Sequence, residues 1–183
     1  MIAAADFFTT EVWTARGLIR YFTLFVIDIA TRRVHIAGTT TNPTSAWMEQ
    51  IARNLTDCLE GFLTGRRFLV IDRDAIFSPR FKSIVRGSSV EILLTAYQAP
   101  NMNAHAERFV KSIKSECLDQ MIFLGRESLV RAIAEYAAHY HDERSHQGIG
   151  NEIVSGTKAQ CDGVVETRER LGGLLKYYHR RAA

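Results

Sequence analysis

Three carboxylates in this chain stand where oxygen-ligand chemistry could be done. Asp6 interrupts an apolar run (AADFF), Asp72 closes another (RFLVID), and Glu107 opens a long helical pattern beyond Ala99-Pro100-Asn101. Singly, each has an ordinary reading. An Asp at a strand end caps a turn, and Glu107 has Lys111 four residues on, an order that gives a helix-surface pair worth about 0.2–0.5 kcal/mol. Together they are harder to dismiss, because an unpaired carboxylate in an apolar strand is costly and a shared divalent cation would offset that cost. Oxygen donors without a His or Cys cluster suit Mg²⁺ or Mn²⁺ rather than zinc. Two such ions about 4 Å apart suit in-line displacement at a phosphodiester, one activating the attacking oxygen and the other stabilising the leaving 3′ oxygen. On a helix advancing about 100° per residue, Glu107, Lys111 and Lys114 fall within about 60° of one another. Phe109, Val110, Ile113 and Cys117 take a different face and would pack on a sheet. The polar edge is then acid at the top with phosphate-binding cations below it; the plain alternative is an ordinary solvated face.

Positioning these side chains requires strands in the first half of the chain. Met1 to Phe8 reads as a short strand, and Tyr21 to Ala30 (YFTLFVIDIA) as a strand buried on both faces, turning at Thr31-Arg32 into Val34-His35-Ile36-Ala37 as a hairpin. Asn42-Pro43 opens a helix with Trp47, Ile51, Leu55, Cys58 and Phe62 on one stripe and a stop near Gly61. Arg67 to Ile71 is a buried strand, Ser78 to Val85 a brief helix, and Val90 to Leu94 a further strand. Met102 to Gln120 and Ser128 to His141 are helices, the second with Leu129, Ile133, Tyr136 and Tyr140 on one stripe. This order predicts an α/β fold, a five-stranded mixed sheet flanked by helices, with the fourth and fifth strands parallel because a helix crosses between them. Asp72 then lies at the carboxyl end of a strand, where open α/β sheets place ligands.

Composition narrows the class. With 183 residues, 46% of them apolar and 23% charged, the chain can bury a core without metal or disulfide staples. The net charge of +3 permits a nucleic-acid partner without requiring one. Cys58, Cys117 and Cys161 are an odd, scattered set with no CxxC spacing, against a disulfide framework or zinc site and in keeping with a reducing cytoplasm. No apolar run reaches the length of a spanning helix, and MIAAADFF lacks the basic lead of a secretory signal.

AADFFTTEVW around Asp6, FVIDIATRRV around Asp28, VIDRDAIF around Asp72 and APNMNAHAERFVKSIKSECLD around Glu107 resemble the catalytic core shared by bacterial insertion-sequence transposases and retroviral integrases. AEYAAHYHDERSHQGIGN resembles the helix and loop that close that core in the bacterial members. The likeness spans roughly residues 1–151 as the core, with 152–183 as a C-terminal basic extension, partly helical or flexible. It implies a ribonuclease H-like fold, Mg²⁺ (or Mn²⁺), and cleavage and joining of DNA at transposon ends. Water first exposes a 3′ hydroxyl, which then attacks target DNA with no covalent protein intermediate. Carried over by position, Asp6, Asp72 and Glu107 are the catalytic, metal-binding triad, and Lys114 matches the basic residue seven positions after the glutamate that contacts terminal DNA. Lys111, Arg73 and Arg108 join it as candidate DNA contacts.

Asp74 is a rival to Asp72, since many relatives follow the second aspartate with Asn-Gly or Arg-Gly where this chain has Arg73-Asp74. Its spacing to Glu107 fits the family pattern less well. Asp28 is a rival to Asp6, with a structural role before the hairpin turn as the favoured reading. His105, His141 and His146 are read as loop or groove residues, not bases or ligands. Relatives carry a helix-turn-helix region ahead of the core, so poor sequence-specific binding is expected, with weak salt-sensitive contacts through Arg66, Arg67, Arg73, Arg80, Lys82, Lys111 and Lys114. The implied partners are transposon-end and target DNA and a second copy of the chain, at least a dimer, in the bacterial cytoplasm with no membrane. The competing readings are a ribonuclease H-like nuclease without strand transfer, and a decayed, non-catalytic DNA-binding or self-associating module.

Overall fold

The computed structural model describes residues 1–95, 103–156 and 163–181. The contacts divide the chain into two compact units, Met1–Lys111 and Ser112–Ala183.

The first unit is built on a five-stranded sheet of order β3-β2-β1-β4-β5. β1 (Ile2–Thr14), β2 (Gly17–Asp28) and β3 (Val34–Thr40) form an antiparallel meander, and β4 (Phe68–Ile71) and β5 (Glu91–Leu94) run parallel to β1. The mixed sheet, its order of elements and the parallel β4–β5 pair agree with the sequence-based expectation. Alternation along β1 divides two cores. Ala3 and Ala5, with Leu24, Val26, Leu69 and Ile71, face the amphipathic helices α1 (Ser45–Leu55) and α2 (Pro79–Gly87), which contribute Met48, Ile51, Leu55, Phe81 and Val85. α1 lies close on β3 because Gly38 has no side chain: a Cβ there would meet Trp47 at 2.9 Å. Ala4 and Phe8 point to the opposite face, where Phe25 packs its ring at a tilt against Phe8 and, at 4.8 Å between centroids, against Phe109 of α3 (Ala104–Glu116). Asp6 shares this second face with Ala4 and Phe8 by strand alternation.

Several boundaries differ from expectation, among them the ends of β1, α1 and α3, the start of β2 at Gly17 rather than Tyr21, and the start of α1 at Ser45, capped by Thr44 rather than opened by Asn42-Pro43. β1 runs on to Thr14 and joins β2 through Ala15-Arg16 and Gly17, whose φ of +97° glycine adopts without penalty. The polar residues Thr9, Thr10 and Glu11 hid this arm. α1 ends at Leu55, not near Gly61. The Thr56 hydroxyl donates to the Ala52 carbonyl at 2.8 Å, and the Asp57 carboxylate accepts from the Leu59 and Glu60 amides, closing a turn. Cys58 is therefore exposed, and Phe62 leaves the helix to stack on His35 and carry the Arg66 guanidinium on its ring. α3 ends at Glu116, and a single 3-10 turn follows over Leu118–Gln120.

The second unit holds α4 (Gly125–Asp142), which buries Leu129, Ile133, Tyr136 and Tyr140 as its stripe predicts. A two-residue ladder pairs β6 (Ser145–His146) with β7 (Glu152–Ile153), and β8 (Val165–Arg170) pairs antiparallel with β9 (Leu175–Arg180). Where part of 152–183 was expected to be helical or flexible, the described residues from Val165 to Arg180 form this hairpin, joined by a 3-10 turn at Leu171–Gly173. Arg170 anchors it, bonding Glu143 at 2.8 Å and Glu135 at 2.8 Å on the end of α4. His146 is buried and bonds the Tyr140 carbonyl at 2.8 Å, in keeping with a loop-shaping role. Cys161 and the Ala99-Pro100-Asn101 interruption lie outside the described residues.

Candidate active site

The register of the sheet brings the first two acids together. β1 and β4 pair in parallel as far as Ala4 opposite Val70; Asp6 follows two residues on within β1, and Asp72 directly follows Ile71, the last residue of β4. Asp6 is half-buried, and its carboxylate is held at both oxygens: Oδ1 accepts the Phe7 amide at 2.7 Å, and Oδ2 accepts Nδ2 of Asn103 at 3.0 Å. Burial, with the fields of Asp72 and Glu107 added, pushes its pKa up to about 6 against these two hydrogen bonds. Asp6 thus stands within electrostatic reach of both other acids.

Asp72 is half-exposed just past β4, and its Oδ1 accepts the Asp74 amide at 3.0 Å. Asp74 is turned to local use, with Oδ1 accepting the Ile76 amide at 2.9 Å in a turn leading to α2. Arg73 Nε donates to the Thr95 carbonyl at 3.0 Å, tying the ends of β4 and β5. Glu107 is exposed in the first turn of α3, where the helix dipole favours an acid. Arg108 and Lys111 are exposed on the same helix and Lys114 is half-buried. His105 also sits in this first turn rather than in a loop; burial and then the cations Arg32 and Arg108 push its pKa down.

Asp28 is fully buried and structural. Its Oδ1 accepts the Ala30 and Thr31 amides, each at 3.0 Å, and Oδ2 takes Arg66 at 3.1 Å. Burial works against its charge, but the two amides and the Arg66 guanidinium hold its pKa below the usual carboxylate range. Arg66, expected among the weak DNA contacts, is thereby occupied inside the fold.

Among the described residues, no three His, Cys, Asp or Glu side chains close into a metal-enclosing cluster. The donor chemistry nonetheless fits a hard divalent cation: Asp6 bears the cost of burial and lies in the fields of Asp72 and Glu107, a cost that a cation would relieve. Sequence reasoning missed Asn103. An Asn directly before a helix reads as a cap, and that reading conceals its contact with a residue ninety-seven positions away.

The geometry can be compared with known proteins. The magnesium-bound catalytic core of HTLV-2 integrase, in its trimeric form, superposes with a TM-score of 0.61 at 13% identity, covering 84% of this chain and 93% of that one. This is the fold of an integrase catalytic core. Such cores are ribonuclease H-like, as expected. The bovine immunodeficiency virus (BIV) integrase core matches with a TM-score of 0.57 at 11% identity over 84% of this chain and 90% of that one. An integrase chain in the simian T-cell lymphotropic virus intasome, bound to the PP2A regulatory subunit B56 gamma, matches with a TM-score of 0.60 at 11% identity over 98% of this chain and 66% of that one. Residues 88–152 match the integrase core domain family, a span that includes Glu107 and α4. No curated protein matches.

Proposed function

We propose that this chain is the catalytic core of a transposase or integrase that cleaves DNA 3′ ends and joins them to target DNA. The observation that carries this reading is that Asp6, on β1 beside the strand that ends at Asp72, lies in the fields of both Asp72 and Glu107, which add to burial in raising its pKa to about 6. Asp6, Asp72 and Glu107 would hold Mg²⁺ or Mn²⁺, which when bound supplies activation of the attacking oxygen and stabilisation of the leaving one. The Phe7 amide and Asn103 fix the plane of the Asp6 carboxylate. Lys111, Lys114, Arg73 and Arg108 neutralise backbone phosphates and set the DNA register. A water oxygen attacks phosphorus at the element end and expels the 3′ oxygen, which takes a proton. The 3′ hydroxyl then attacks a target phosphodiester, forming one P–O bond as another breaks. No protein side chain is covalently modified.

Residues 1–151 form the catalytic core in this reading and 152–183 an extension. Two ends must be processed together, so the working form is at least a dimer. The integrase-core match over 88–152 and the integrase fold support this function, as do the trimeric form and the intasome named for the similar structures. Incubating the protein with a labelled, pre-cut donor end, plasmid target and Mn²⁺ tests it. Products longer than the donor are expected. Shortened products alone would replace this reading with a nuclease that does not join.

A further inference from the structure

Asn103 lies directly ahead of α3 and is more than nine-tenths buried. An Asn in this position usually turns its carbonyl oxygen onto the first free amides of the helix, for about 1 kcal/mol. Here Oδ1 makes no hydrogen bond among the described residues, while Nδ2 reaches across to Asp6 Oδ2 at 3.0 Å. The reverse orientation would set a carbonyl oxygen against a carboxylate, so the Asp6 charge determines which way the amide faces. With the Phe7 amide on Oδ1, each Asp6 oxygen accepts one hydrogen bond and keeps a further lone pair. The orphaned Oδ1 is a buried acceptor beside that carboxylate, suited to a donor such as an ordered water.

We infer that Asn103 is a positioning residue: it orients the Asp6 carboxylate for cation binding and presents Oδ1 to a water of the same site. This rests on the function proposed above and names a residue that acts through Asp6. Outer partners of metal-binding groups typically change affinity by about 10- to 100-fold when removed.

The test compares wild type with Asn103→Ser and Asn103→Leu. Ser is as good a helix cap as Asn but too short to reach Asp6, whereas Leu keeps the bulk and loses both polar functions. Three quantities are measured: Mn²⁺ binding by loss of the free-ion electron paramagnetic resonance signal, DNA affinity, and joining rate at saturating DNA. Thermal melting monitors folding. The expected result is that Asn103→Ser melts near the wild-type temperature and binds DNA as tightly, yet binds Mn²⁺ roughly tenfold or more weakly and joins correspondingly slowly. Wild-type Mn²⁺ affinity and joining rate in Asn103→Ser would overturn the inference and leave Asn103 as a cap, with the catalytic reading intact. A wild-type protein that binds no Mn²⁺ and makes no products would instead remove the catalytic reading, and this inference with it.

Discussion

At the scale of single residues, the buried Asp28 and the half-buried Asp6, on adjoining strands, behave in opposite ways because their surroundings differ. Asp28 accepts two amides and a guanidinium, so its charge is stabilised; Asp6 has two hydrogen bonds but faces burial and two other acids. The folded Asp28 has a lowered pKa, so its contribution is complete above its unfolded value of about 3.9 and is lost as pH falls through the folded value. Asp28→Ala should therefore destabilise the fold by about 3 kcal/mol at pH 7, because Arg66 loses its ionic partner and the Ala30 and Thr31 amides lose their acceptor, with a smaller effect in acid. Denaturant melts at pH 7 and pH 3 measure this; an equal loss at both would contradict it. Asp6 has the reverse sign. Between about pH 4 and pH 6 the folded state keeps a proton that the unfolded chain releases, so stability falls as pH rises through that window. Asp6→Asn is expected to gain about 1–3 kcal/mol at pH 7 and almost nothing below pH 4, while losing activity. No gain at neutral pH would mean that burial of Asp6 costs little. The structural role of Asp28 was legible from the turn that follows it. The role of Asn103 was not, since a contact spanning the chain leaves no mark on local pattern.

Elements account for what the residues cannot do alone. The site depends on β1 and β4 stopping their pairing at Ala4 and Val70, two residues short of the acids, and on α3 covering that face through Phe109 against Phe25. The succession of strands and helices along the chain and the parallel β4–β5 pair could be read from apolar runs and helical crossovers. The far arm of β1 and the end of α1 could not, because turn chemistry at Gly17 and Asp57 decided them, not hydrophobic period. The β8–β9 hairpin was illegible for a different reason: its strands are mostly exposed and polar, and it is held by ion pairs. Glu143 is buried and receives His139 at 2.9 Å, Arg170 at 2.8 Å and Arg168 at 3.5 Å. Removing one partner of such a group costs more than the pair contributes. Arg170→Met should release the hairpin from α4, speeding amide hydrogen exchange across Val165–Arg170 and Leu175–Arg180 by 100-fold or more, from about 3 kcal/mol of lost anchoring. Unchanged protection would show that the strands hold without the anchor.

For the molecule as a whole, a net charge of +3 predicts DNA binding that is weak and set by a few contacts. Replacing Lys111 and Lys114 together by alanine should lower the slope of log affinity against log salt by about 1–2, alike on every DNA sequence. A slope that does not change would place the phosphate contacts elsewhere. The central claim is that Asp6, Asp72 and Glu107 act as one centre, and groups that act as a unit are not additive when removed. The most direct test is the Mn²⁺-dependent joining rate of wild type, Asp72→Asn, Glu107→Gln and the double variant, with Asp74→Asn as control. Each single variant should fall by about 10³-fold or more, the double should fall no further, and Asp74→Asn should stay within about tenfold of wild type. Wild-type rates in Asp72→Asn or Glu107→Gln, or losses that multiply in the double, would contradict the account.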